Sequence, residues 1–501
     1  MTNAENVDAL EVFVNDTPVG VLSRDGEEFF DFRYHKGVNP AHAVSLTMPI
    51  TEDPDEYTEF GLLPAPFQVS LPEGVVMERL RSLYKKDVNV DDPFDLLRLV
   101  GQNGIGRVTF GGKRSLAPVQ VREALLRDAR SASAAQKLWN DLDRLGPDAL
   151  GISGAMPKIL LDAEAKALTA DRPTTLVLPI HIVKFDDAQH YGASLLEYAC
   201  MSICQRLGFR VPNLELSPSS DALIIQRFDM TVDGRYLGFE DACALAGYQR
   251  NQKYQGSIEE LFDMARSFIP EDRQQEALRD LTRMVLVNDI LRNGDAHLKN
   301  FALLYDHPAN AYWSPLYDVL NTTMFYPDDK PALSWDVERE VDQVWLEDPS
   351  ALDVLSRMSG QSTSSIKNDY LDIGDGILAS IGEITRAMKD APLDRDRYSF
   401  VDGLPRYFKR LLHQNRLFNG ENSTFFSNHD DSDQQNLARV TSGLTRKTSA
   451  RGALSIAPEE PMETEQLLLP NEEAERLRAQ WVTAASRETG SAHADGEGDT
   501  P

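Results

Sequence analysis

Apolar residues at Leu10, Val12 and Val14 fall on alternate positions and predict a strand, with Phe13 interrupting strict alternation. Asn15-Asp16 breaks the run and Val19 and Val21 resume it, which reads as a hairpin with one buried face. Phe30, Phe32 and Tyr34 alternate with Asp31 and Arg33 and extend the pattern. After Leu71-Pro72-Glu73-Gly74, Val76–Tyr84 reads as a short helix. Asp92-Pro93 opens another, with Pro93 suited to a first helical position, and Gly101 ends it after Leu96, Leu97 and Val100. The polar, Ala- and Ser-rich stretch 123–145 reads as a linker or a packing helix. Strand signals return over 151–161 and 176–185. Leu196, Cys200, Ile203 and Leu207 form the stripe of a helix over Ala193–Leu207, and Gly208 fits its left-handed C′ position. Ala222–Phe228 reads as a short buried strand. Beyond Glu240 the pattern is mostly helical, most clearly over Arg273–Arg292 with Leu278, Leu281, Val285 and Ile290 near one face.

The pattern fades after Phe418. Residues 419–501 are rich in Asn, Ser, Thr, Asp and Glu, and so little apolar surface predicts a disordered tail with a transient helix after Asn471.

Composition narrows the function classes. A chain of 501 residues suggests two to four domains. With 51 Lys+Arg against 79 Asp+Glu the net charge is −28, so the overall field opposes nucleic acid, and any DNA contact is expected to be indirect, through a basic partner. Three cysteines make neither a disulfide framework nor a four-cysteine zinc site. Cys200 and Cys204, one helical turn apart, read as buried small hydrophobes or as a metal pair. Met1–Glu11 is acidic with no apolar core of a signal peptide, and no stretch is apolar for long enough to span a bilayer. The expectation is a soluble cytoplasmic protein with no membrane association.

Four segments carry candidate chemistry. Asn293-Gly294-Asp295-Ala296-His297-Leu298-Lys299-Asn300 follows the strong helix, and Asp295 and Asn300 stand in the D-x-x-x-x-N spacing of a protein-kinase catalytic loop. A carboxylate there takes the proton of an attacking hydroxyl, an amide oxygen helps complete a magnesium shell, and Lys299 is placed to stabilise charge on a transferring phosphoryl group. A polar helix-ending loop is the competing reading. His297 reads either as orienting this loop or as taking part in the chemistry. Asp318, in Leu316-Tyr317-Asp318-Val319, reads as a second magnesium-holding carboxylate or as the cap of a helix starting at Val319. Lys184, in His181-Ile182-Val183-Lys184-Phe185, reads as a phosphate-pairing strand lysine with Glu197 on the next helix as partner, or as a lysine on a solvent face; His181 reads as structural. Gly151-Ile152-Ser153-Gly154-Ala155-Met156-Pro157-Lys158 reads as a phosphate-approaching loop or a hairpin turn. Gly101–Gly106, also Gly-rich, reads as a helix C-cap and loop. The order of loop, strand lysine, helix glutamate, aspartate with asparagine, and second aspartate is that of a bilobal kinase.

With these residues in hand, the chain resembles the HipA-type serine/threonine kinases, toxins of type II toxin–antitoxin systems. The resemblance rests on Leu71-Pro72-Glu73-Gly74, Asp95-Leu96-Leu97 with Gly101, Ser153-Gly154-Ala155 with Lys158, His181 to Lys184, and Gln226-Arg227-Phe228-Asp229. It continues through Glu240-Asp241, Lys253-Tyr254, Asn293 to Asn300 and Leu316-Tyr317-Asp318. It implies an α+β, bilobal protein-kinase-like fold with a small β-rich N-terminal domain and a mostly helical C-terminal lobe. The expected segments are a β-rich domain over 8–122, a small lobe over 146–235, a helical large lobe over 236–418, and the tail 419–501. ATP and Mg2+ are the implied cofactors. Asp295 would be the base, Asn300 and Asp318 the magnesium ligands, and Lys184 the contact to the phosphates. Gln226 and Phe228 would lie at the adenine hinge, and Ser153, Gly154, Ala155 and Lys158 would cover the phosphates. Family members switch off by autophosphorylating a loop serine. That serine often lies seven residues before the loop lysine, where this chain has Gly151; Ser153 is the candidate here. The hinge departs from the family's Glu-Arg-Phe-Asp-Arg at Gln226 and Met230. The implied partners are a helix-turn-helix antitoxin and a protein substrate, in some members an aminoacyl-tRNA synthetase. A non-catalytic antitoxin-binding module and a small-molecule phosphotransferase are the alternatives.

Overall fold

A computed structural model describes residues 8–25, 29–51, 57–84, 86, 88–114, 158–167, 174–186, 190–217, 219–231, 233–335, 345–346, 349–415 and 417–418. The readings of 123–145, of Ser153, Gly154 and Ala155, and of the tail lie outside the described residues.

The N-terminal region is a five-stranded antiparallel sheet in the order β4-β3-β2-β1-β5. Its strands are β1 (Asp8–Val14), β2 (Thr17–Asp25), β3 (Phe29–Tyr34), β4 (Thr58–Phe60) and β5 (Val108–Phe110). Asn15 and Asp16 both take positive φ, which suits the tight turn between β1 and β2. The expected resumption at Val19 and Val21 is corrected: Val19 and Leu22 are the buried hydrophobic side chains of β2, and Val21 is only half-buried. The cause is a register shift where Val12 pairs with Gly20 but Phe13 pairs with Pro18, which leaves Val19 as an extra residue and resets the alternation. Two helices close the inner face. In α1 (Gly74–Tyr84) Val76, Met77 and Leu80 are buried. In α2 (Pro93–Val100), Asp92 caps the first turn by accepting from the Phe94 and Asp95 amides, and Phe94, Leu96, Leu97 and Val100 are buried.

A second antiparallel sheet, β6-β7-β9-β8, joins β6 (Lys158–Ala167), β7 (Thr174–Phe185), β8 (Leu214–Leu216) and β9 (Ala222–Gln226). Strand alternation divides its work. Val183 and Phe185 on β7, with Ala222 and Ile224 on β9, join the apolar core of the N-terminal sheet. Ile182 and Lys184, with Ile225 on β9, face a cleft on the other side. Helix α3 (Ala193–Arg206) packs against this sheet with Leu195, Leu196, Ala199, Cys200, Ile203 and Cys204 buried, and Gly208 takes φ +81 just past its end.

The remaining chain carries a small sheet of β10 (Gly238–Asp241), β11 (Ala302–Tyr305) and β12 (Tyr312–Trp313). Its helices are α4 (Ala242–Leu245), α5 (Ile258–Phe268), α6 (Glu271–Ile290), α7 (Pro349–Ser359), α8 (Thr363–Met388) and α9 (Arg395–Gln414). Leu281, Phe262, Tyr370 and Phe408 lie in one large core shared with α3. The architecture is α+β, β-rich at its N-terminal end and helical at its C-terminal end. No helix among the described residues is long and apolar enough to cross a membrane.

The N-terminal sheet is pinned to the rest by polar contacts as well as by the shared core. Glu240 is buried and accepts hydrogen bonds from Ser45 Oγ at 2.5 Å and the Leu46 amide at 2.7 Å. Arg107 donates to the carbonyls of Ala43 at 2.8 Å and Asp306 at 3.0 Å, and its guanidinium lies 4.7 Å from the Tyr305 ring centre.

Candidate active site

The cleft between the second sheet and the helical region has a volume of about 650 Å³. Ile182, Ile225, Phe228, Phe239, Tyr317 and Leu320 supply apolar walls; Lys184, Asp295, His297, Lys299, Asn300 and Asp318 supply the polar groups.

Lys184 is the centre of one cluster. Its Nζ donates to Glu197 Oε1 on α3 at 2.6 Å and also contacts Asp318 Oδ1. The side chains of Lys184 and Glu197 are 6% and 1% exposed, so the reading of Lys184 as a solvent-face lysine is corrected: strand alternation turns it inward. Burial alone would lower the ammonium's pKa; the Asp318 and Glu197 carboxylates outweigh it and hold Lys184 above its ordinary value, fully charged.

Asp318 takes φ +60, a conformation that Asp tolerates better than most side chains. No helix starts at Val319, which corrects the capping alternative. The chain runs irregularly to a 3-10 turn at Thr322–Met324, and that turn is capped by Asn321.

The loop after α6 is assembled by its own polar groups. Arg292 takes φ +55 and reverses the chain. Buried Asn293 then donates to Asn288 Oδ1 at 2.7 Å and to the Asp318 carbonyl at 3.2 Å, which ties the two loops together. Gly294 is required by a close approach, since a Cβ there would lie 2.1 Å from Asp329 Oδ2 and 2.7 Å from the Lys330 carbonyl. Asn300 donates through Nδ2 to the Asp295 carbonyl at 2.7 Å, which holds the two ends of the D-x-x-x-x-N spacing in one turn. The Asp295 side chain is 43% exposed. Its Oδ1 accepts from the Tyr254 hydroxyl at 2.6 Å and lies 3.9 Å from His297 Nε2. Burial drives His297 down to about 4, so it is a neutral imidazole at physiological pH, edge-on to Tyr254. That state suits an orienting group better than a proton carrier.

The other expected residues are placed as follows. Lys299 is buried and bonded to Glu73 at 3.0 Å, with Asp241 at 4.0 Å. Phe228 lines the cleft. The Gln226 side chain does not: it is exposed and accepts from Asn213 Nδ2 at 2.7 Å, so strand alternation leaves Ile225 as the cleft-facing residue of β9. Next to it, Arg227 and Asp229 form a buried bidentate pair at 2.9 and 2.6 Å. Asp229 also accepts from the Gly106 amide at 2.6 Å, so the Gly101–Gly106 loop buttresses this strand end. Lys158 opens β6 opposite Lys184 in the register. Cys200 and Cys204 are free and buried, and no described cluster of three or more His, Cys, Asp or Glu side chains is arranged to hold a metal. Sequence reasoning missed functional candidates at Glu73, Lys253 and Tyr254, although their two short stretches carried part of the resemblance.

Asn300 and Asp318 fit magnesium in one specific way. Mg2+ takes one or two carboxylates and completes its shell with water and phosphate oxygens, so two oxygen donors beside a cation-bearing cleft suit a magnesium–nucleotide complex and not a metal held by protein alone. The apolar walls suit a base ring.

Residues 10–111 match the family described as HipA N-terminal domain, and residues 150–369 the family described as HipA-like C-terminal domain. The chain is 25% identical over 354 residues to putative kinase Y4dM of Sinorhizobium fredii, covering 66% of this chain and 81% of that protein. It is 23% identical over 265 residues to putative kinase Y4mE of the same organism, covering 51% of this chain and 61% of that one. Among solved structures it superposes with a TM-score of 0.60 and 20% identity on a chain of the Shewanella oneidensis complex of HipA, HipB and operator DNA. That superposition covers 82% of this chain and 97% of the other, and carries the fold.

Proposed function

The chain belongs to the HipA family, and from that premise we propose that it is an ATP- and magnesium-dependent serine/threonine protein kinase acting as the toxin of a toxin–antitoxin pair. The observation that supports this best is the meeting in one cleft of Lys184, charged and flanked by Glu197 and Asp318, with the Asp295–Asn300 turn.

Bound magnesium–ATP supplies the phosphoryl group; the chain's own residues bind and orient. Lys184 offers a fixed positive charge to the phosphates, with Glu197 holding it in place. Asn300 and Asp318 offer oxygens to magnesium. Asp295 would accept the hydrogen bond of the acceptor hydroxyl and take its proton as the oxygen bonds to the γ-phosphorus and the bond to the β,γ-bridging oxygen breaks, with ADP leaving. Phe228 and Ile225 offer apolar contact to the base. A small DNA-binding protein is the proposed partner, as HipB is bound to HipA and operator DNA in the Shewanella complex. The net charge of −28 favours that partner as the source of the DNA contact.

The test is incubation of the purified chain with magnesium and ATP labelled in its γ-phosphate, with and without a bacterial extract. Label on serine or threonine of a protein is expected. Label confined to small molecules, or no label at all, contradicts the proposal.

A further inference from the structure

Two stretches carry much of the resemblance yet have no part in the function just proposed: Leu71-Pro72-Glu73-Gly74 in the N-terminal domain and Lys253-Tyr254 in the helical region. The structure brings them together at the catalytic loop. Glu73 Oε1 accepts from Lys299 Nζ at 3.0 Å, and Glu73 Oε2 accepts from Lys253 Nζ at 3.0 Å. The three side chains are 15%, 7% and 10% exposed respectively. Burial would raise the Glu73 carboxyl's pKa; Lys299 and Lys253 outweigh it and hold it well below the usual range, so it is charged at physiological pH.

Both lysines belong to segments that touch Asp295. Lys299 is in the same loop. Lys253 precedes Tyr254, whose hydroxyl donates to Asp295, and the Lys253 carbonyl accepts from the Leu298 amide at 3.1 Å. A single carboxylate from the N-terminal domain therefore grips both segments that surround the base. Gly74 takes φ +54 directly after it and lines the same cleft, so α1 begins at the site itself.

We infer that Glu73 is a positioning residue for phosphoryl transfer, through which the N-terminal domain completes the active site. This rests on the proposed kinase function. Glu73 touches no reacting atom; it fixes Lys299 and the Lys253–Tyr254 segment so that the loop is formed before substrate arrives. With Glu73 neutral, Lys299 would keep Asp241, at 4.0 Å, but the carboxylate between the two lysines would be lost and their repulsion would loosen the loop.

A purely adhesive role for Glu73 would make it equivalent to other contacts of the same interface, and Ser45, which donates to Glu240 away from the cleft, is the control. The full chain is compared as wild type, Glu73→Gln, Lys253→Gln and Ser45→Ala. Backbone hydrogen exchange over 293–300 is measured without nucleotide, alongside phosphoryl-transfer turnover and nucleotide affinity by calorimetry. For Glu73→Gln the expectation is exchange about tenfold faster in that loop and turnover about 10- to 100-fold lower, with nucleotide affinity within about threefold, since small misplacements near the chemistry cost rate more than binding. Lys253→Gln, which keeps the Glu73–Lys299 pair, moves both in the same direction by less and carries the test if Glu73→Gln does not fold. Ser45→Ala leaves both unchanged. Wild-type exchange and turnover in Glu73→Gln would overturn the inference, as would equal losses in Ser45→Ala. Absence of phosphoryl transfer in the wild type would instead remove the kinase function, and the exchange comparison would still decide whether Glu73 orders the loop.

Discussion

Two buried lysines face the same cleft, and each sits between two carboxylates. Lys184 lies between Glu197 and Asp318; Lys299 lies between Glu73 and Asp241. Both are held above their ordinary pKa: burial, the largest single influence, pulls each down and the paired carboxylates more than restore it. The difference is where the carboxylates come from. Those of Lys184 belong to the helix and loop that frame the cleft, so that cluster needs nothing from outside the kinase-like region. One carboxylate of Lys299 comes from the N-terminal domain, so that cluster exists only while the two regions are docked. The lesson is that neighbouring clusters of the same chemistry differ in what they join: one ties a strand, a helix and a loop around the cleft, where we propose a nucleotide contact, and the other ties the N-terminal domain to the helical region.

Replacing Lys184 with Met should have the largest effect. It breaks the buried Lys184–Glu197 pair, a cost of about 3–5 kcal/mol, and removes the proposed phosphate contact. Denaturant unfolding is expected to show that loss, and calorimetry no measurable nucleotide binding. Full stability with intact affinity would break the distinction at its first member.

Asp318→Ala comes next. Magnesium-dependent nucleotide affinity should fall by about tenfold or more as a hard oxygen ligand is lost, while affinity measured without magnesium changes little. Equal weakening in both conditions would place Asp318 outside magnesium binding.

Lys299→Met should leave nucleotide affinity within about threefold but speed hydrogen exchange at Gly74–Tyr84, where α1 begins beside Glu73. Lys184→Met should not affect exchange there. The same response from both variants would erase the difference between the clusters.

The cluster around Lys184 was legible in the sequence for a physical reason. Lys184 and Glu197 lie on a strand and the helix that follows it, and a β-pattern beside an amphipathic helix predicts where each points; Asp318, 134 positions from Lys184, was legible only through the kinase-like order of the motifs. Glu73 was not. It lies 226 positions from Lys299 and 180 from Lys253, in a domain whose docking no local pattern encodes. Its short stretch was visible only as a resemblance. The Val19 bulge escaped for a related reason: one inserted residue changes which side chains face inward without altering the strand pattern. Gln226 matched the hinge by position, yet strand alternation turns it away and Ile225 inward.

The smallest expected effect concerns the cysteines. Burial pushes the Cys200 thiol up to about 12, and burial likewise raises Cys204 and Cys243. A thiol reagent at pH 8 should therefore leave all three unmodified in the folded chain and react with all three in denaturant. Rapid labelling of the native protein would contradict their burial.

The central claim is that Asp295 serves phosphoryl transfer and not nucleotide binding. Asp295→Asn keeps the side chain's shape and its contact with Tyr254 but cannot take a proton. Measured on one preparation, transfer of labelled γ-phosphate should fall by about 10²- to 10⁴-fold while magnesium–ATP affinity stays within about threefold of wild type. Wild-type transfer by Asp295→Asn would contradict the account.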